Sequence, residues 1–143
     1  MLLLDVNPLV YALRADVPEH RGWLKWLETA LDGAEPVGVS NATLAAVTRI
    51  STNHSVFPVP TPLEVTLDFI DSVRDAPAYL PAEPGPRHWQ LMEGLCRKTR
   101  ARGNLVMDAY VAALATELGA VLVTADGDFA RFPGLRFVNP VEG

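Results

Sequence analysis

Two uninterrupted apolar runs, Leu2-Leu3-Leu4 and Val121-Leu122-Val123, each lead within a few residues to an aspartate, Asp5 and Asp126. Such runs, lacking polar alternation, predict strands buried on both faces of a parallel sheet. The first strand is expected over Leu2 to Val6, and Asn7-Pro8 then supplies a capping side chain and a helix-opening proline for a short helix ending at Leu13. A second helix is predicted from Glu19 to Leu31, with Trp23, Leu24, Leu27, Ala30 and Leu31 at helical spacing and Gly33 just beyond its end. Val37 to Ser40 reads as a short strand, and Asn41 as the cap of a helix running to Thr52 with Leu44, Val47 and Ile50 on one face.

Prolines 58, 60 and 62 make a loop, and Pro62 opens a helix to Asp75 whose core face is expected to be Leu63, Leu67, Ile70 and Val73. Prolines around Tyr79-Leu80 leave room for a short strand only. Helices over Arg87 to Arg102 and Asn104 to Leu118 follow, then the strand Val121 to Thr124 and a last strand Leu135 to Val138. Strands alternating with helices predict an α/β fold with a mostly parallel sheet covered on both faces.

Composition narrows this picture. With 143 residues, no compositional break and no repeat, one domain over 1–143 is expected, long enough to bury its own core. The single Cys96, flanked by Leu91, Met92 and Leu95, suits a small buried hydrophobe and leaves no disulfide within the chain. The apolar start meets Asp5 after four residues with no basic region before it, too short for a signal or membrane segment, so a cytoplasmic location is expected. A net charge of −5 argues against broad polyanion binding, so any nucleic-acid chemistry needs a local basic patch or a metal bridge. Arg97, Lys98, Arg100 and Arg102 form such a patch, with a solvated helix end as the plain alternative.

The candidate chemistry lies in the carboxylates. In open parallel sheets ligands bind beyond the carboxyl ends of the strands, so Asp5 and Asp126 meet if their strands are neighbours. Asp108 adds a third acid, placed by spacing on the same helix face as Val111, Ala112 and Ala115. A carboxylate on a buried face needs a cation or helix dipole to keep its charge. Three hard oxygen donors with no His or Cys cluster favour Mg2+ or Mn2+ over Zn2+. Each acid also has a plainer reading: Asp5 as a turn or cap, Asp108 as a first-turn acid, and Asp126 with Asp128 as the cap of a short helix.

Several other features point to no site. His20, His54 and His88 share no ligand spacing and read as surface or loop residues, and Trp23, Trp26 and Trp89 read as core or interface. The stripe Glu64, Asp68, Asp71 and Asp75 reads as a solvated face. A dinucleotide site is excluded by the lack of a glycine-rich turn after the first strand. A phosphate-holding lysine at a strand end is also missing, since the only lysines are Lys25 and Lys98.

The stretch Leu3-Leu4-Asp5-Val6-Asn7-Pro8-Leu9-Val10-Tyr11-Ala12 resembles the opening of PIN-domain proteins of the VapC toxin family. So do Asp108-Ala109-Tyr110-Val111-Ala112-Ala113-Leu114-Ala115, Gly119, and Val123-Thr124-Ala125-Asp126-Gly127-Asp128-Phe129 with Arg131-Phe132-Pro133-Gly134-Leu135 and Asn139-Pro140. The middle segment Arg49 to Asn53 with Val56-Phe57 and Pro62 is similar too. This resemblance implies a single PIN-like domain with a five-stranded parallel sheet, and Mg2+-dependent cleavage of RNA phosphodiesters. It implies Asp5, Asp108 and Asp126 as catalytic metal ligands, Asp128 as a supporting catalytic acid, and Thr124 as a residue that orients them. It further implies a VapB-like antitoxin partner that offers an Arg to the carboxylates, and a homodimer or a heterotetramer with that antitoxin. The family's usual glutamate, three residues before the arginine that follows the second strand, is replaced here by Ala46. That substitution leaves open a degenerate domain that binds RNA or a partner without cutting.

Overall fold

The protein is described by a computed structural model covering residues 1–142; Gly143, the last residue of the expected domain, lies outside the described residues. Strands β1 (Leu2–Leu4), β2 (Val37–Val39), β3 (Tyr79–Pro81), β4 (Val121–Val123) and β5 (Phe137–Val138) form one sheet in the order β3-β2-β1-β4-β5. Every pairing is parallel. The strand order therefore turns around between β1 and β4, which pair directly with Leu4 opposite Val123. That is the point where an open parallel sheet leaves a crevice beyond its strand ends.

Side chains of successive strand residues go to opposite faces, and two cores result. Leu4, Val37, Val39 and Val123 pack with helices α1 (Val6–Leu13), α2 (His20–Leu31), α3 (Asn41–Ser51) and α4 (Leu63–Arg74). Leu3 and Leu122 pack on the other face with α5 (His88–Thr99), α6 (Asn104–Leu118), Phe129 and Phe132. Helix α6 is apolar nearly all round, with Val111 to Ala115 buried without interruption, as a helix enclosed by the second core requires. Gly38 is needed in β2 because a Cβ there would stand 2.9 Å from the Ala82 Cβ. Pro81, which cannot donate to a ladder, sits in the edge strand β3.

Several expectations are corrected. Asp5, not Asn7, caps α1: its Oδ1 accepts the Val6 N–H at 2.8 Å, and Pro8 falls in the first turn, where no N–H is needed. Ser40, not Asn41, caps α3 through its Oγ on the Thr43 N–H. Helix α5 ends at Thr99, because Arg100 takes the left-handed conformation (φ 53°), so Arg100 and Arg102 lie in the connection to α6. In α4 the buried stripe is Thr66, Ile70 and Val73, while Leu63 and Leu67 face solvent. The Thr66 hydroxyl is buried against Ser51 Oγ at 3.0 Å, and that hydrogen bond replaces the apolar contact anticipated for the leucines. His88 is buried, with Nε2 2.9 Å from the Tyr110 carbonyl and its ring edge-on to Tyr110, whereas Trp89 beside it is exposed.

Candidate active site

Asp5 leaves the end of β1 with its own N–H bonded to Val123 O at 3.0 Å, which fixes it to the neighbouring strand. The side chain is nearly enclosed, at 7% exposure. Its Oδ1 caps α1, and its Oδ2 accepts the Thr124 hydroxyl at 2.8 Å and the Asn7 amide at 3.4 Å. Thr124 Oγ1 also accepts the Asp126 N–H at 3.0 Å. Asn7, freed from capping, accepts the Ala125 N–H on Oδ1 at 2.9 Å, so one side chain ties the end of β1 to the end of β4.

Asp126 caps the short 3-10 helix Gly127–Arg131, its Oδ1 accepting the Asp128 N–H at 2.8 Å. The plain capping reading of Asp5 and Asp126 is therefore correct, and it coexists with a shared location. Asp5, Asp108 and Asp126 line one crevice at the sheet's turning point, and Asp108 reaches it from α6. Asp128 is exposed and does not line the crevice, although its charge acts on Asp108.

Burial raises the Asp108 carboxyl to about 6, aided by the charges of Asp5, Asp126 and Asp128 and opposed by Arg131. Burial also pushes Asp5 up; hydrogen bonds from Thr124 and Val6 pull it down, and Asp126 pushes it up again. The four acids thus make a site of concentrated negative charge that a cation would relieve. All its donors are oxygens, which suits a hard divalent ion. Among the described residues no three acidic, His or Cys side chains stand close enough together to enclose a metal unaided. Water would supply the remaining positions, as Mg2+ readily allows.

The Asp108 shift gives a signed prediction. Its folded-state value of about 6 exceeds the unfolded value of 3.8, so the folded protein binds the extra proton between those limits. The associated stability is fully present below about 3.8 and is lost as pH rises through about 6. In EDTA, the melting temperature of the wild type should fall between pH 4.5 and 7 relative to Asp108→Asn. Parallel curves for the two proteins would refute the assignment of that proton to Asp108.

Ala46 lines the same crevice with Arg49, so the position lacking the family's glutamate does face the acids. Sequence reasoning passed over the bridging part of Asn7 and the crevice positions of Tyr11, Arg49 and Asn104. The placement of Asn7 two residues after Asp5 was the available signal. None of Arg97, Lys98, Arg100 or Arg102 lines the crevice, and Arg97 pairs with Glu93 at 2.6 Å. No helix among the described residues is long and apolar enough to cross a membrane.

Residues 2–135 match the PIN domain family model. Ribonuclease VapC25 of Mycobacterium tuberculosis is 39% identical over 140 residues, covering 98% of this chain and 99% of the relative. Ribonuclease VapC43 of the same species is 41% identical over 143 residues, covering all of this chain and 97% of its own. The fold is similar to VapBC2 from Rickettsia felis bound to a promoter DNA fragment (TM-score 0.69, 19% identity, 96% of each chain). It is also similar to Mycobacterium tuberculosis VapC20, described as a Sarcin-Ricin loop cleaving toxin (TM-score 0.67, 15% identity, 91% and 93% of the chains). With the family model spanning both strand-end aspartates and Asp108, the chain belongs to the PIN-domain family.

Proposed function

We propose that the protein is a divalent-metal-dependent endoribonuclease and the toxin of a VapBC-type pair. The convergence of Asp5, Asp108 and Asp126 in one crevice at the turning point of the sheet carries this reading. Relatives named VapC ribonucleases, alike over nearly the full length, support it. Asp5, Asp108 and Asp126 would hold Mg2+, with Mn2+ as the substitute, and Asp128 would add negative charge beside them. When bound, the ion neutralises phosphate charge and acidifies a water molecule.

The protein's own contributions are separable. Thr124 and Asn7 hold the Asp5 carboxylate in one orientation. Arg49 lines the crevice and supplies a positive charge for an RNA phosphate, and the Arg97–Arg102 patch offers a second backbone contact outside it. On this reading the protein works in the cytoplasm, where RNA is at hand. A VapB-like antitoxin would silence it by placing a cationic side chain among the acids, which attract one for the same reason they attract a metal. Assembly as a homodimer, or as a heterotetramer with the antitoxin, belongs to the same proposal.

Ala46 favours a second reading, RNA binding without cleavage, because it removes an acid from the crevice wall. The discriminating experiment is a Mg2+ titration of RNA cleavage by the wild type and by Ala46→Glu. The wild type should cut only at high Mg2+ and better with Mn2+, and Ala46→Glu should shift half-maximal cleavage to lower metal. Coincident curves from two folded proteins would deny position 46 a part in metal binding. RNA binding by both proteins with no cleavage at any metal concentration would establish the second reading.

A further inference from the structure

We propose that the apolar half of the crevice is a nucleobase site, which takes an unpaired base adjoining the phosphate held at the carboxylates. The proposal rests on the ribonuclease reading above and adds the part of the substrate recognised. The crevice has a volume of about 440 Å³, and its wall away from the acids is built from Tyr11, Ile50, Val56, Phe57 and Met107. Val56 and Met107, one on the loop after α3 and the other on α6, are 50% and 53% exposed. Apolar side chains left open beside a charged site mark a surface that a ligand covers. Each RNA phosphodiester is covalently flanked by two nucleosides. A strand whose phosphate reaches Asp5 and Asp126 therefore presents a base to the adjoining wall, and bases are bound sequence-tolerantly by aromatic and apolar faces. A base paired in a duplex has its faces covered by stacking, so the site selects an unpaired one.

The loop that carries Phe57 is held by an unusual anchor. Arg14, at the end of α1, is only 7% exposed, and its guanidinium carbon lies 3.9 Å from the Phe57 ring centroid. Its Nη1 donates to Val59 O at 2.6 Å and to Thr61 Oγ1 at 3.2 Å, while Nη2 pairs with Asp16. Burying a guanidinium is unfavourable unless its bonds are used, and here they fix the loop that forms one wall of the crevice. Asp5 caps the start of α1 and Arg14 closes its end, so a single helix sets both the acid and the apolar wall. Arg14 is thus a positioning residue for Phe57.

The test measures binding of two labelled 12-mer RNA strands to the Asp5→Asn protein in Mg2+: a randomised sequence, and an abasic ribose-phosphate strand of equal length and charge. The base-bearing strand should bind about tenfold more tightly than the abasic one, within the range found for stacked bases. Phe57→Ala should remove most of that ratio while leaving abasic affinity unchanged, and Phe57→Trp should retain it. Met107→Ala, at an exposed helical position that folding does not depend on, should lower the ratio in the same way. Annealing the strand to its complement should also remove the preference. Equal affinity for both strands, or a ratio untouched by Met107→Ala in a protein that melts normally, would overturn the base site alone. Failure to bind either strand would overturn the RNA reading beneath it.

Discussion

Asp108→Asn and Asp5→Asn should each lower RNA cleavage by at least about a hundredfold, while the metal-free proteins melt no lower than the wild type. Both halves follow from the same electrostatics. In the metal-free site, burial and three neighbouring acids disfavour the Asp108 charge, so a neutral amide of the same shape relieves repulsion. With metal present, that charge is the attraction that holds the ion, and its loss weakens both phosphate neutralisation and water activation. Asp108→Asn should show the clearer rise in melting temperature, because Asp108 makes no side-chain hydrogen bond that the amide would break, whereas Asp5 accepts three. The measurement pairs cleavage of labelled RNA with thermal melting in EDTA. A variant that is destabilised without metal and inactive with it would indicate a structural carboxylate and contradict the account.

Thr124→Val should combine a loss of activity with a loss of stability. The hydroxyl is 1% exposed, donates to Asp5 Oδ2 and accepts the Asp126 N–H. Valine fills the same volume but leaves both partners unsatisfied, which costs about 1–3 kcal/mol for a buried polar group. Cleavage should fall by roughly 10- to 100-fold, as when a partner orienting a metal ligand is removed. Thr124→Ser keeps the hydroxyl and should recover most of the activity. If Thr124→Val lost stability with cleavage per folded molecule unchanged, the residue would support the fold without orienting Asp5.

Much of the frame could be read from the chain because strands buried on both faces leave continuous apolar runs. Leu2 to Leu4 and Val121 to Val123 announced themselves that way, and the acids after them fell at the same sheet edge. Asp108 was found because helical spacing put it on the side of buried Ala112 and Ala115. What escaped depended on contacts across the chain. Asn7 bonds Ala125, 118 positions away, so its local context suggested only a cap. Arg14 was invisible for the same reason, since its partners Phe57, Val59 and Thr61 lie in a loop more than forty residues on. Leu63 and Leu67 were assigned to the core by hydrophobicity, but the register of α4 is set by Thr66 meeting Ser51 together with Ile70 and Val73. Asp128 was expected among the catalytic acids; the turn capped by Asp126 places it outside the crevice, where its charge is felt but its side chain forms no part of the wall.

The account is tested most directly by incubating the purified protein with end-labelled total RNA in EDTA, and then restoring Mg2+ in the same tube, with Asp108→Asn carried in parallel. Discrete cleavage products should appear only after Mg2+ returns and only with the wild type. Products formed in EDTA, or formed equally by Asp108→Asn, would contradict a metal-dependent site built on the strand-end carboxylates.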